Sequence, residues 1–578
     1  MAMLLLGACE GAPAPAPVTD AGAMDAPALA CAPRETSCGD DGLSPSTCNA
    51  DGTARVAAAR CDGAAGEVCA EGRCVRACEE ASLRRETRGC EFWPVQTLHP
   101  ELGRLADGQN PSDFPFTLVV SNPWPSPVRV TLDGGALSAP VERVIAGGGT
   151  GTLEVPWQAA LVDGVDHLHR ASALVRGGAL HLRATAPVTA YQFNPLKFSR
   201  TVDCEQGDAC FSYTGDASLL LPAASLGRQH LVVSWPTQRA LPSGRTEWTS
   251  SAGFVSIVGT RPDTRVTVRL AGGVAAGVGI AAGPAGESRS FTLGVGDVVQ
   301  LLSSVDPACA RDVLDRVTDT RFCLPVAGED LTGTVVESSE PVAVFSGHEC
   351  ANIPYDRYAC DHLEEQIPPV ETLGQRYVVS RSEPYPTAKR DHPEGEPTVA
   401  RIVAVHDATE VTFEPASAHA PARLARGESL TVESREDYVV VGSAPLLVAT
   451  FLVGADYFRR ETVVARGIVG DPAMSIETPV EQYRSRYDFF VPPAVVPAFA
   501  NVVIARGGRV RLDGRALTAA PTGTLGAREL YRLPLTEGAH RLEGETTGTR
   551  FGLRVYGFAP FTSFIPGGGD LVSIAPPL

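Results

Sequence analysis

Lysine is almost missing from this chain. It occurs only at Lys197 and Lys389, so nearly all of the 49 basic residues are arginine, and they are outnumbered by 67 acidic ones for a net charge of −18. That balance excludes the basic footprint that phosphate binding needs, and with it a nucleic-acid partner. No apolar run approaches the roughly 18 residues of a membrane-spanning helix. Amphipathic helical periodicity is also scarce; the best stretch, residues 308–317, predicts one short helix. Catalytic signatures are missing too. There is no G-x-S-x-G elbow and no G-x4-G-K-[ST] loop. The glycines of Gly277-Val-Gly279-Ile-Ala-Ala-Gly283 are misspaced for a nucleotide loop and lack a βαβ setting. No catalytic or cofactor-binding residue is assigned.

What is present points to export. The opening residues end in Leu6-Gly7-Ala8-Cys9, which resembles a bacterial lipobox, with Cys9 as the lipidated residue. The charged segment usual in such signals would lie upstream of Met1. Glu10 rather than Asp follows the cysteine, which favours the outer membrane or cell surface. Setting Cys9 aside leaves 14 of the 15 cysteines, an even number that suits pairing in an oxidising compartment.

Composition divides the chain. Residues 1–9 read as the signal and 10–30 as an Ala/Pro-rich disordered tether. Residues 31–90 hold eight cysteines among few large apolar residues, so disulfides must replace a core there. The spacing Cys69-x4-Cys74-x3-Cys78 lacks the paired knuckles of a zinc site. From residue 91 onward, short Val-, Ile-, Leu- and Thr-rich runs alternate with Gly, Pro and Asp, the pattern of strands and tight turns. Two elements repeat. One is an alternating strand (127–134, 264–272, 409–414, 508–514); the other is a strand with proline near its start (186–193, 340–345, 444–451), with a proline-free fourth copy at 549–556. The expected fold is all-β: tandem β-sandwich-like units at 91–222, 223–372, 373–480 and 481–578, preceded by the small disulfide-rich module. Close pairing is expected for Cys204/Cys210, Cys309/Cys323 and Cys350/Cys360, each bridge stapling a loop that has no core of its own.

Three segments resemble the IgGFc-binding protein N-terminal domain family as found in bacterial exported proteins. They are Pro187-Val-Thr-Ala-Tyr-Gln-Phe-Asn-Pro195, Asp216-Ala-Ser-Leu-Leu-Leu-Pro222, and Glu340 to Cys350 continuing into Cys360-Asp-His-Leu-Glu-Glu-Gln-Ile-Pro-Pro369. The resemblance is firm over about 180–460. It implies a non-enzymatic extracellular recognition or adhesion module, without specifying immunoglobulin as the ligand.

The densest polar cluster surrounds Cys350 and Cys360: His348, Glu349, Asp356, Asp361, His362, Glu364 and Glu365. A bridge there would bring His348 and Glu349 towards Asp361 and His362, a candidate N/O site for Zn²⁺ or Ca²⁺; the alternative is a solvated acidic loop. Asp166-His167-Leu168-His169 and Asp391-His392 read as ordinary surface polar residues. Trp93, Trp124, Trp157, Trp235 and Trp248 read as core or loop anchors rather than a sugar platform. The expected function is a lipid-anchored, non-catalytic surface module for a protein or glycan ligand. A secreted polysaccharide hydrolase is the alternative, because paired carboxylates need only converge in space. A structural envelope protein is the third.

Overall fold

The computed structural model describes residues 30–574, apart from 40, 100–113, 163–170, 201–209, 306–307, 317, 358–359, 386–391, 455–456, 459–468, 547, 561, 565–570 and 572–573. Cys9, Cys204, Asp391 and the segment Asp166–His169 therefore lie outside the described residues. The chain divides into a small N-terminal unit (residues up to 62, with 68–75) and a large body (63–67 and 76–578).

In the small unit, strands Thr36–Cys38, Pro45–Cys48 and Arg55–Ala57 form one antiparallel sheet. Its buried apolar residues are few, with Leu43 and Val68 beside Cys31, Cys48 and Cys61. Disulfides Cys31–Cys48, Cys38–Cys69 and Cys61–Cys74 take the place of a core. Each bridge contributes about 2–4 kcal/mol by restricting the unfolded chain. Reduction under native conditions should therefore unfold this unit first, seen as selective alkylation of these six cysteines and rapid proteolysis N-terminal to residue 76.

A fourth bridge, Cys78–Cys90, belongs to the large body, where it ties helix Ala77–Arg84 to strand Gly89–Phe92. Nothing in the sequence pattern announces that eight-residue helix. The expected helix at 308–317 is instead a hairpin: Asp312–Asp315 pairs with Thr320–Cys323 and is closed by Cys309–Cys323. A covalent cross-link to a neighbouring strand overrides a weak helical pattern of only ten residues.

The three expected close cysteine pairs fare differently. Cys309–Cys323 and Cys350–Cys360 are bridged as the sequence suggests. Cys210 opens the strand Cys210–Phe211, antiparallel to Ser199–Arg200. In that ladder Cys210 lies opposite Arg200. The expected bridge from Cys210 to Cys204 is not among the disulfides of the described residues, because Cys204 falls outside them.

The body repeats a two-layer arrangement four times. In the second repeat the long strand Val335–Asn352 serves both layers. Its first part pairs with Gly227–Leu231 and Thr264–Arg269; its later part pairs with Gly253–Gly259 and Cys360–Gln366. In the first repeat Leu180–Phe193 does the same, pairing with Gly89–Phe92 and Val128–Gly134, then with Phe116–Ser121 and Ala217–Leu219. The repeated proline marks the corner. The ladders with Gly89–Phe92 and Gly227–Leu231 shift register across Pro187 and Pro341. Proline carries no N–H, so it fits where a ladder bond is missing anyway. In the third repeat the strand breaks at this point: Tyr438–Gly442 lies in one layer, Leu446–Leu452 in the other, with Pro445 between. The fourth has separate strands, Gly538–Gly544 and Phe551–Ala559. Sequence reading places proline at a strand start. In the first two repeats the strand instead runs on backwards through it.

Outer strands such as Thr264–Arg269 and Thr409–Glu414 alternate buried and exposed, as a half-covered sheet must. Strands Phe116–Ser121, Gly253–Gly259 and Thr398–Ala404 are buried at every residue, because a neighbouring repeat covers their second face. Val255 and Val344 share a core with Val403 and Phe451; Val378 and Val439 pack with Tyr483 and Val503. Val119, Tyr191 and Leu219 of the first repeat pack with Phe489, Val502 and Phe551 of the fourth. The series of repeats thus closes on itself. Between repeats, Pro222, Pro369 and Pro479 each precede a single 3-10 turn. Each proline packs on a glycine: a Cβ at Gly89, Gly227 or Gly374 would lie 2.3–2.4 Å from the Cβ of Pro222, Pro369 or Pro479. Glycine is required at these positions by close approach.

Candidate functional site

The last strand of each repeat ends at the same place inside the body. These strands are Ala217–Leu219, Cys360–Gln366, Ala473–Ile476 and Thr562–Phe564. They are joined by polar side chains rather than by a common ladder. Asp216 is central. Its Oδ2 accepts the backbone N–H of Glu364 and of Met474, both at 3.1 Å, and its Oδ1 accepts that of Ala217 at 2.8 Å. One carboxyl thereby ties three repeats. Asp361 accepts N–H bonds from Gly215 (2.6 Å) and His362 (2.7 Å). The Asp471 N–H donates to Ser563 Oγ at 2.9 Å, and the Thr562 hydroxyl donates to Gly215 O at 2.9 Å, which brings in the fourth repeat. Ser218 donates to Glu365 Oε2 at 3.1 Å and accepts the Gln366 N–H at 2.8 Å. On the other side of the same strand, Glu364 accepts bonds from Gln192 and from the Thr97 hydroxyl, each at 2.5 Å.

The four candidate metal ligands, His348, Glu349, Asp361 and His362, are all fully buried. They lie on paired strands joined by Cys350–Cys360, not on a solvated loop. Consecutive strand residues point to opposite faces, so each candidate pair divides. His348 Nδ1 accepts the Cys350 N–H (3.1 Å), whereas Glu349 Oε2 accepts that of Ala252 (3.3 Å). Asp361 turns to Gly215, whereas the His362 ring lies near His99 and the Thr97 hydroxyl. Among the described residues no group of three or more His, Cys, Asp or Glu is arranged to hold a metal ion. Asp356 sits apart, paired with Arg357 at 2.8 Å. Trp93 and Trp235 are buried; Trp124 and Trp157 are half-buried and donate their indole N–H to backbone carbonyls of Pro187 and Phe114.

Sequence reading singles out Asp361, Glu364 and Glu365 but misses the roles of Asp216 and Asp471. The signal is in the repeats. Asp361 and Asp471 each stand eight residues before the proline that opens a 3-10 turn, and Asp216 stands six before its own.

Burial dominates the electrostatics. It pushes the carboxyls of Asp216 and Asp471 well above the usual carboxylate range. Asp361 is raised by burial first and by the neighbouring Asp471 second; Glu365 by burial first and by Asp216 second. Asp361 Oδ2 and Asp471 Oδ1 have no hydrogen-bond partner among the described residues. Keeping a proton on one of the two removes the like-charge repulsion. His230 is buried, neither ring nitrogen has a hydrogen-bond partner among the described residues, and burial lowers its pKa to about 3.

These shifts set a pH dependence. Carboxyls raised in the folded state give stability that is fully present below their unfolded pKa of about 4, and lose it as pH rises through the raised values. Neutral His230 acts oppositely: its contribution is present above about 6.5, the unfolded value, and is lost as pH falls towards about 3. Above about pH 6.5 only the carboxyl trend remains. The melting temperature should therefore fall as pH is raised from about 6.5 to about 9, and Asp471→Asn should flatten that slope. A melting temperature that climbs over this range contradicts the assignment.

Beside the hub lies a cavity with about 520 Å³ of empty volume, part of it open to solvent. Its wall repeats as the strands do: Leu219, Gln366 and Ile476 stand three residues before the three prolines, and Leu221, Pro368 and Thr478 one residue before them. Glu365 is also on this wall.

Residues 216–557, more than half of the chain, match the family model described as IgGFc binding protein. The chain belongs to the IgGFc-binding protein family. The match begins at Asp216 itself and takes in Asp361 and Asp471, so three hub carboxyls lie in the family region. The human IgGFc-binding protein is 26% identical to this family member over 274 residues, 47% of this chain but only 4% of the human protein. Among solved structures, the viral chemokine binding protein R17 encoded by rodent gammaherpesvirus Peru aligns over 62% of this chain and 89% of its own, at 9% identity and a TM-score of 0.12, which is too slight to bear on the fold.

Proposed function

We propose that this IgGFc-binding family member is a non-catalytic extracellular module that binds a protein ligand and is held at the cell surface by a lipid on Cys9. The observation that carries the reading is the use made of its acids. Asp216, Asp361 and Asp471 are at most 3% exposed; Asp216 accepts backbone N–H bonds from strands of two other repeats and Asp361 accepts that of Gly215 in the first. Groups spent in this way hold repeats together and do not face a substrate. A glycosidase needs two carboxyls free to protonate and attack across an open cleft. Disulfides in both units support maturation in an oxidising compartment. The human relative's name refers to the Fc of IgG. At 4% of that protein's length, the match supports binding as a class of activity rather than that ligand.

The test has two arms. The intact protein is screened by surface plasmon resonance against extracellular proteins, the Fc of IgG included, and against polysaccharides with reducing-end detection. Saturable protein binding without polysaccharide turnover is expected. Turnover lost in Glu365→Gln would replace the reading with the hydrolase alternative. For the anchor, Cys9→Ala should move the protein from the membrane fraction to the soluble one; unchanged fractionation contradicts lipidation at Cys9.

A further inference from the structure

The cavity beside the hub has a chemistry that the structural role of its neighbours does not use. It is lined mainly by carbon: Leu219, Leu221, Leu373, Ile476 and Leu571 contribute to its wall. Set into that wall is Glu365, 4% exposed, whose Oε2 accepts the Ser218 hydroxyl while Oε1 has no hydrogen-bond partner among the described residues. Leaving a buried carboxyl oxygen unpartnered is unfavourable, because the water it gave up is not replaced. The ionisable groups that act most strongly on it are other carboxyls. Asp216 and Glu364 act on it through the hub, and Glu477 stands on the same wall, bonded to Thr450 and Arg554. A mainly apolar cavity with a partly unpartnered acid in its wall favours an occupant with an aliphatic stem and a cationic, donor-rich head.

We propose that this cavity is a binding site for aliphatic primary amines, with the ammonium at Glu365 and the carbon stem against Leu219, Leu373 and Ile476. The site stands apart from the protein-binding reading above and survives its failure. Two sources share this chemistry: free small amines, and lysine side chains presented by another polypeptide.

Titration calorimetry of the intact protein with n-butylamine tests it, with n-butanol as the neutral control and Nα-acetyl-lysine N-methylamide as the second arm. Saturable binding of one butylamine per chain and none of butanol is expected. Repeating the titration in buffers of different ionisation heat should show proton release, because burial keeps Glu365 protonated until the cation arrives. Glu365→Gln keeps the acceptor for Ser218 and mimics the neutral acid, so the fold should persist while affinity falls by about tenfold or more, as expected when a buried charge partner is removed. Binding of the lysine derivative as well extends the site to lysine side chains; binding of butylamine alone restricts it to free amines. No saturable butylamine binding, or equal affinity in a folded Glu365→Gln variant, overturns the proposal.

Discussion

Asp216→Ala should destabilise the large body by about 4 kcal/mol, more than any other single truncation in the hub, at about 1–3 kcal/mol for each buried donor left unsatisfied. The carboxyl accepts three backbone N–H groups, and two of these, from Glu364 and Met474, belong to strands of other repeats. Alanine leaves them without an acceptor in a region water does not reach. The backbone cannot readily turn away, since both donors lie on strands that are buried at every residue but one. Chemical denaturation measures the loss. Hydrogen exchange locates it, with faster exchange expected at the amides of Glu364 and Met474. A loss below about 1 kcal/mol would mean that Asp216 is a bystander.

The second large effect concerns the closure between the start of the body and its last repeat. Arg484, in the turn that opens the fourth repeat, pairs with Glu86 and donates to the Thr87 hydroxyl at 2.7 Å. Both charged residues are buried, at 9% and 8% exposure. Arg88 adds a second link, to Glu86 at 3.0 Å and to Asp488 at 3.9 Å. Glu86→Ala strands a guanidinium in a dry interface and should cost about 3–5 kcal/mol. Replacing Glu86 and Arg484 together by leucine should cost less than either alanine change alone, because the buried guanidinium leaves with its carboxylate and Arg88 keeps Asp488. A double-mutant cycle on denaturation midpoints measures the coupling. Additive effects would show that the pair does not act as a unit.

Much of the β architecture is legible in sequence because it rests on local chemistry. The alternation in Thr264–Arg269 and Thr409–Glu414 follows from one covered face, and proline recurs because a corner needs no N–H. What escapes are long-range consequences. Nothing local in Asp312–Asp315 announces a strand; its partner strand and the Cys309–Cys323 bridge impose one. The cysteine order in 31–90 does not encode which sulfurs meet. The polar segment Cys360–Gln366 reads as a solvated acidic loop, since three carboxyls and a histidine so close together are rarely buried. It is buried because three other strands end against it, and residues well over one hundred positions away in sequence supply its donors and acceptors. Asp216 and Asp471 look ordinary for the same reason: their partners are identifiable only once the repeats are seen to converge.

Differential scanning calorimetry of the oxidised, full-length protein tests most directly whether the four repeats form one body locked at the hub. A single cooperative transition for the sandwiches is expected, with a calorimetric enthalpy matching the van't Hoff value and the whole transition displaced to lower temperature by Asp216→Ala. Separate transitions for individual repeats, with Asp216→Ala shifting only one of them, would contradict it.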